Sequence, residues 1–290
     1  VRVYEDATHL LEDSAIDAVV ISTPAATHED LATQALISGK HVLVEKPLAT
    51  SVAGVDRIAS YSSGLVVMAG HTFLYNTAVT RLKELIDTGD LGDVRYITSQ
   101  RLNLGRVRSD VDALWNLAPH DVSIFCFLLD DLRPSEIIRT GQAYLQDDIE
   151  DVSFITLKYP TGVLAQAHVS WLDPMKVRRM SVVGSRRMVI YDDASDYKLA
   201  VYDKSVEPQA QLGTQMDYDR QTPVFVHHSG DVQLLNVRQN EPLFNEVDHF
   251  VDCILNGAKC RTGIDHARLV VEILESASSG GTNGRTGAGV

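Results

Sequence analysis

Ile16-Asp-Ala-Val-Val-Ile-Ser-Thr-Pro-Ala-Ala-Thr-His28 decides the fold class of this 290-residue chain. The apolar, β-branched run from Ile16 to Ile21 has the texture of a strand buried on both faces, and Thr23 and Pro24 end it. From His28 to Ser38, Leu31, Ala32, Ala35 and Leu36 recur at helical spacing, and Gly39 stands where a helix C-cap is expected. His41 to Val44 reads as the next strand. A helix over Val52 to Ser62 then leads through Gly64 into a third apolar strand, Leu65 to Ala69. Strands alternating with helices over short connections imply a parallel, doubly wound sheet. On the other side, Ala7 to Ser14 suggest a short helix. The chain opens without Met in Val1-Arg-Val-Tyr4, which reads as a strand already under way, so the first part of this domain is expected to precede Val1.

After Gly70 the texture changes. Thr77 to Asp87 is helical in pattern, Val94 to Leu104 alternates like a half-exposed strand, and Ala113 to Leu129 reads as a long helix. Strand-like runs follow at Val152 to Tyr159, Gly162 to Trp171, Val177 to Val183 and Met188 to Tyr191, with a turn signal in Tyr159-Pro-Thr-Gly162. An open sheet of mainly antiparallel strands is the economical arrangement. Glu241 to Leu255 and Ile264 to Ala277 read as closing helices. The expected division is 1–75 for an incomplete α/β domain, 76–277 for an α+β domain, and 278–290 for a disordered tail rich in Gly, Ser and Thr.

Composition bounds the function. The length suits two domains, and 44% hydrophobic with 22% charged residues is ordinary globular usage. A formal charge of −13, with Lys and Arg scattered, argues against nucleic acid and anionic lipid as partners. It does not argue against a dinucleotide, because helix N-termini and backbone amides attract phosphate locally. Cys126, Cys253 and Cys260 form no CxxC pair, so neither a disulfide framework nor a metal site is indicated, and reduced cytoplasmic thiols are the plain reading. No apolar run approaches the ~20 residues that span a bilayer.

Four polar groups stand where ligands bind in doubly wound sheets, at the carboxyl ends of strands or beside them. Ser22-Thr-Pro-Ala-Ala-Thr-His28 is the first, in which Thr23 either meets a cofactor ribose or phosphate or serves as a helix N-cap. Glu45-Lys-Pro47 is the second. Lys46 there can donate to a hydroxyl or work as an acid or base, Pro47 suits a cis bond, and the plain alternative is a surface turn. Gly70-His-Thr-Phe-Leu-Tyr-Asn76 is the third. The fourth runs from Arg101 through Asn103 and Asp112 to Trp115-Asn-Leu-Ala-Pro-His-Asp121. A neutral His120 can take a hydroxyl proton near pH 7, although a capping or buried structural histidine is equally compatible with its position.

The order of Ser22-Thr-Pro-x-x-Thr-His28, a helix ending Ser38-Gly-Lys-His41, and Val42-Leu-Val-Glu-Lys-Pro-Leu-Ala49 resembles the second half of the N-terminal domain of the Gfo/Idh/MocA family. The likeness continues through Gly70–Asn76 and Arg101–Asp121 and, more loosely, to Ala277. It implies a partial Rossmann domain followed by a large open sheet, and an NAD- or NADP-dependent dehydrogenase of a sugar, cyclitol or nucleotide sugar. Lys46 would touch the substrate hydroxyl and His120 would exchange its proton. Ser22, Thr23, Pro24, His28, Glu45, Lys46 and Pro47 would line the cofactor. His71, Asn76, Arg101, Asn103, Asp112, Trp115 and His120 would face the substrate. A homodimer or homotetramer is expected by the same likeness. The Trp115–Asp121 segment is similar to the branch acting on UDP-N-acetylhexosamines.

The chain departs from that pattern in two ways. Asn116 stands four residues before His120, where the family carries Asp, and Ser123 stands where it carries an acid. Asn116 orients without charge, so the tuning of His120 changes. No Gly-x-Gly-x-x-Gly follows a first strand and no acidic residue follows a second, so the 290 residues alone are expected to bind NAD(P) weakly or not at all. Two other readings stay open: a glycoside hydrolase of the same fold using retained nicotinamide, and a non-catalytic sugar- or dinucleotide-binding protein.

Overall fold

The deciding stretch folds, in a computed structural model describing residues 2–208, 225–238 and 240–279, into strand, turn and helix. β1 (Ala18–Ile21), β2 (His41–Glu45) and β3 (Val67–Gly70) pair in parallel in that order. Preceding them is α1 (Ala7–Glu12), and the crossovers are α2 (His28–Ile37) and α3 (Val52–Ser60). Gly39 closes α2 at φ +74°, in the left-handed region where a Cβ is costly. Ser51 caps α3 by accepting from Gly54 N at 3.1 Å.

β2 and β3 are buried as their apolar runs require, whereas β1 is not buried on both faces as expected. Val20 is 60% exposed. Among the described residues β1 pairs only with β2, so apolar composition alone overstated how much covers it.

A 3₁₀ turn over Thr72–Tyr75 leaves β3 and enters α4 (Thr77–Asp87), capped by Asn76. A second sheet is then built from β4 (Val94–Leu104), β5 (Glu136–Gln142), β6 (Val152–Lys158), β7 (Leu164–Ser170), β8 (Leu172–Gly184), β9 (Met188–Asp192), β10 (Leu199–Pro208) and β11 (Phe225–Leu235). Its order is β11-β10-β9-β8-β4-β7-β6-β5, antiparallel throughout except between β4 and β7. The mainly antiparallel expectation therefore holds, with one parallel pair at its centre and with β5, β10 and β11 added to the expected strands.

Helices cover one face of this sheet. α5 (Ala113–Leu128) lies against β7, and α7 (Ile264–Ser279) packs on both α5 and α3. α7 is buried around much of its circumference because it joins two apolar clusters. Ala267 and Val271 pack with Val55 and Ile58, while Leu269, Val270, Ile273 and Leu274 pack with α5 and the large sheet. α6 (Pro242–Asn256) precedes it, and Trp115 touches both clusters. Of the expected 278–290 tail, Ser278 and Ser279 belong to α7 and the remainder lies outside the described residues. No helix among the described residues is long and apolar enough to cross a membrane.

Candidate active site

The site forms where the carboxyl ends of the parallel strands meet the first turns of α5. Ser22, Thr23 and Pro24 extend from β1 as an exposed loop. Thr23 shares a 2.7 Å hydrogen bond with the Thr27 hydroxyl, so it does not cap α2. At the end of β2 the Lys46–Pro47 peptide is cis. His28 joins the two segments: its ring nitrogens lie 2.8 Å from the Pro47 carbonyl and 2.9 Å from the Thr23 carbonyl, and the residue is 1% exposed. Expected to line a cofactor, His28 is instead a brace that holds the Thr23 loop against the Lys46 turn.

Lys46 reaches across to the second domain's helix and donates from Nζ to the Asn116 carbonyl at 2.8 Å. The turn before His120 is unusual, because Pro119 within α5 has no N–H to give the Trp115 carbonyl. Burial lowers the Lys46 ammonium to about 8, the neighbouring Glu45 carboxylate works the other way, and Arg101 and Arg108 add to the lowering. Asn116 therefore meets Lys46 through its backbone.

His120 is surrounded by aromatic and cationic groups. Its ring lies edge-on to Phe73 with centroids 5.0 Å apart, and the Arg101 guanidinium sits over the same Phe73 ring at 4.4 Å. His120 is held well below the usual histidine range, first by burial and then by the charges of Arg101, Lys46, His71 and Arg178. Its Nδ1 is buried without a hydrogen-bond partner, and so is Nδ1 of His71. An unmatched buried polar atom costs about 1–3 kcal/mol, so two of them in one cluster mark a place shaped for something other than packing. His71 is likewise held far below its ordinary value by burial, with smaller contributions from His266 and Lys46.

Arg101 is anchored by Asp121, with Nε 2.7 Å from Oδ2 and both side chains less than a tenth exposed. Replacing one member of such a buried pair strands the other charge. Asp121→Ala should lower unfolding stability by about 3–5 kcal/mol in urea titrations. A loss well below 1 kcal/mol would mean that Arg101 is solvated after all.

The remaining expected residues divide by what they touch. Asn76 caps α4 and lines a cleft of about 270 Å³ with Thr72, Phe73, Arg178 and Lys198. Asn103 is half-buried near the end of β4. Asp112 caps α5 by accepting from Trp115 N and also receives Arg139 at 2.6 Å, while Trp115 donates from Nε1 to Ser278. The polar groups of Asp112 and Trp115 are occupied in joining α5 to its surroundings, whereas Asn76 shares its cleft with Phe73 and Arg178, the neighbours of His120. Glu45 flanks that cluster, its carboxylate receiving the Lys46 amide at 3.3 Å.

Sequence reasoning missed Arg178, His266 and Glu246 as contributors. Phe73 and Arg178 frame His120, and the Ser123 hydroxyl meets His266 Nε2 at 3.0 Å, with His266 Nδ1 2.7 Å from Asp131. Glu246 from α6 accepts from Thr72 at 2.8 Å and is pushed up to about 7, mainly by burial. Only the third dimension places His266 beside His71 and Glu246 beside Thr72.

The site thus offers the exposed Ser22–Pro24 loop, tied through His28 to the Lys46–Pro47 turn, and two unpartnered imidazole nitrogens on His71 and His120. Residues 1–71 match the oxidoreductase family described as having an NAD-binding Rossmann fold, and residues 79–190 match the GFO/IDH/MocA C-terminal domain. The chain is similar to dTDP-3,4-didehydro-2,6-dideoxy-alpha-D-glucose 3-reductase of Streptomyces violaceoruber, at 33% identity over 48% of this chain and 42% of that one. It is also similar to inositol 2-dehydrogenase/D-chiro-inositol 3-dehydrogenase of Lacticaseibacillus casei, at 30% identity over 58% and 51%. The fold matches UDP-N-acetylglucosamine 3-dehydrogenase GnnA of Acidithiobacillus ferrooxidans with a TM-score of 0.78, at 22% identity over 97% and 82%. The chain spans about half the length of the curated relatives it matches.

Proposed function

From the premise that the chain belongs to the Gfo/Idh/MocA oxidoreductase family, we propose that the full-length protein oxidises or reduces a secondary carbinol of a sugar, cyclitol or nucleotide sugar with NAD or NADP. The observation that supports this most is the 2.8 Å bond from Lys46 Nζ to the Asn116 carbonyl, one helical turn before the uncharged His120. Ser22, Thr23, Pro24 and the Lys46–Pro47 turn would hold the nicotinamide end of the cofactor. When bound, that ring accepts or returns the hydride of the carbinol carbon.

The protein's own groups manage the proton and the charge. His120 is neutral at pH 7 and can take the hydroxyl proton during oxidation. Lys46 commits one of its three N–H groups to Asn116, leaving two to donate to the carbinol oxygen. The fixed charge of Arg101, together with Lys46, favours negative charge developing on that oxygen and opposes protonation of His120 before substrate arrives. Phe73 shields the imidazole edge from water. The open sheet supports the homodimer or homotetramer reading, since Phe225, Val226, Val232 and Leu234 of β11 are exposed. A cytoplasmic site of action is in keeping with three free cysteines.

The test is turnover by the full-length protein with NAD+ and NADP+ across a cyclitol, a free hexose and a UDP-N-acetylhexosamine, read as formation of reduced nicotinamide. Oxidation of at least one class is expected. No turnover of any, with no cofactor binding by calorimetry, would overturn the reading. Because Lys46 loses its positive charge at about 8, and that charge stabilises the developing oxyanion, kcat/KM should fall as pH rises through about 8. His120, held low, should leave the neutral range flat.

A further inference from the structure

One to two turns along α6 from its Glu246 contact, a cluster of soft donors has no part in the chemistry described above. His249 and Cys253 are four residues apart, which puts both on one face of a helix, the spacing used by helical metal-ligand pairs generally. Gly257 ends α6 at φ +69° and turns the chain back, returning Cys260 to that same face. His249 Nε2, Cys253 Sγ and Cys260 Sγ consequently all lie within 4.8 Å of one another, and the His249–Cys253 pair is 3.4 Å apart. Tetrahedral coordination at the usual zinc–sulfur and zinc–nitrogen lengths separates donor atoms by about 3.5–3.8 Å, so these groups need only small shifts to share an ion.

We propose that His249, Cys253 and Cys260 form a binding site for a thiophilic divalent cation of the zinc class, with the fourth position left to solvent or another small ligand. The imidazole is already in the ligating tautomer. The Arg261 backbone N–H donates to Nε2 at 3.1 Å, which makes Nε2 the acceptor nitrogen and leaves the ring proton on Nδ1, with Cys253 Sγ 3.4 Å from the same Nε2. An incoming ion displaces that N–H, which then lies beside the two thiolates. The Arg261 guanidinium is engaged beside the site, donating to the Leu74 carbonyl at 2.7 Å and lying 5.0 Å from the Tyr75 ring centre, and after burial its charge helps to hold His249 below its ordinary value, neutral for ligation. An entry path exists, because His249 lines a surface cleft of about 440 Å³ with Tyr75, Thr77, Asn245 and Arg261. The absence of any CxxC spacing hid this site from the sequence, since the third donor is supplied by a chain reversal.

The ion ties the end of α6 to the turn before α7. That turn accepts Ala69 N on the Thr262 carbonyl at 2.9 Å and places the Thr262 hydroxyl 3.0 Å from Tyr75 Oη, so the metal bears on the end of β3. Binding to the folded state alone raises Tm in proportion to the logarithm of free metal.

The experiment is a Co2+ titration of the full-length, reduced, metal-free protein, followed by its sulfur-to-cobalt charge-transfer absorption and by displacement with Zn2+. One ion per chain with strong charge-transfer bands is expected. Cys253→Ser and Cys260→Ser should each weaken affinity by at least about tenfold, the loss that even an outer-shell partner causes. His249→Gln should weaken it while leaving sulfur charge transfer in place. Absence of charge-transfer absorption, its persistence in the Cys253→Ser/Cys260→Ser double variant, or a Cys253–Cys260 disulfide in anaerobically isolated protein would each overturn the proposal.

Discussion

His120→Ala should lower turnover of the full-length protein by roughly 100- to 10,000-fold while leaving it folded, because a positioned proton acceptor contributes on that scale. The argument for intact folding is specific. His120 contributes a buried Nδ1 with no partner, and burial together with four neighbouring positive or titratable groups keeps the ring uncharged, so its removal breaks no ion pair. Among its aromatic contacts, the one lost is the edge-on approach to Phe73 at 5.0 Å. Urea midpoints of the two proteins should therefore lie close together. The space left by the imidazole offers a further readout, since added imidazole should restore part of the lost rate if the missing function is proton transfer. A variant that turns over at the original rate would remove His120 from the chemistry. A slow variant that imidazole cannot rescue, and whose KM alone has changed, would leave it a binding group only.

The architecture was legible wherever one pattern of burial dominates a segment. β2 and β3 are buried along their length, so a short apolar run suffices to identify them, and α4 and α5 begin at Asn76 and Asp112, whose side chains cap them. β11 was not legible because ten of its eleven residues are exposed, which erases the alternation by which strands are recognised. β5 alternates faithfully, but Gly141 and the charged Glu136 and Arg139 dilute it. Within the site, Lys46 and His120 stood out through local features: a Lys-Pro at a strand end, and a histidine entering a helix after a polar loop. Asp112 looked like a ligand for the same reason that it makes a good cap, since an oxygen before a helix serves both purposes. His266, Glu246 and Arg178 come from elements more than fifty residues further along the chain and reach the site only through packing, so no spacing in the sequence announces them.

Lys46→Met should produce two changes of opposite kind. Turnover should fall by roughly 100- to 10,000-fold, because the ammonium that donates to the carbinol oxygen is gone and nothing else on β2 replaces it. Stability at pH 7 should rise. Burial lowers the folded-state value of Lys46 from 10.5 to about 8, so below pH 8 both folded and unfolded chains carry the charge and folding bears the full cost of burying it. That cost is about 3 kcal/mol at 1.36 kcal/mol per unit, with the favourable Glu45 charge already included in the shift. Between pH 8 and 10.5 the folded protein sheds its proton first, the unfolded chain holds more protons, and wild-type stability should climb relative to the variant. Above that window the two should converge, apart from the methionine's extra apolar packing. Urea titrations of both proteins at pH 7 and pH 10 read the difference directly. If the wild type is the more stable of the pair at pH 7, the ammonium is not paying for burial with stability, and the strand-end lysine would be a structural tie to Asn116 and not a group held under strain for the reaction.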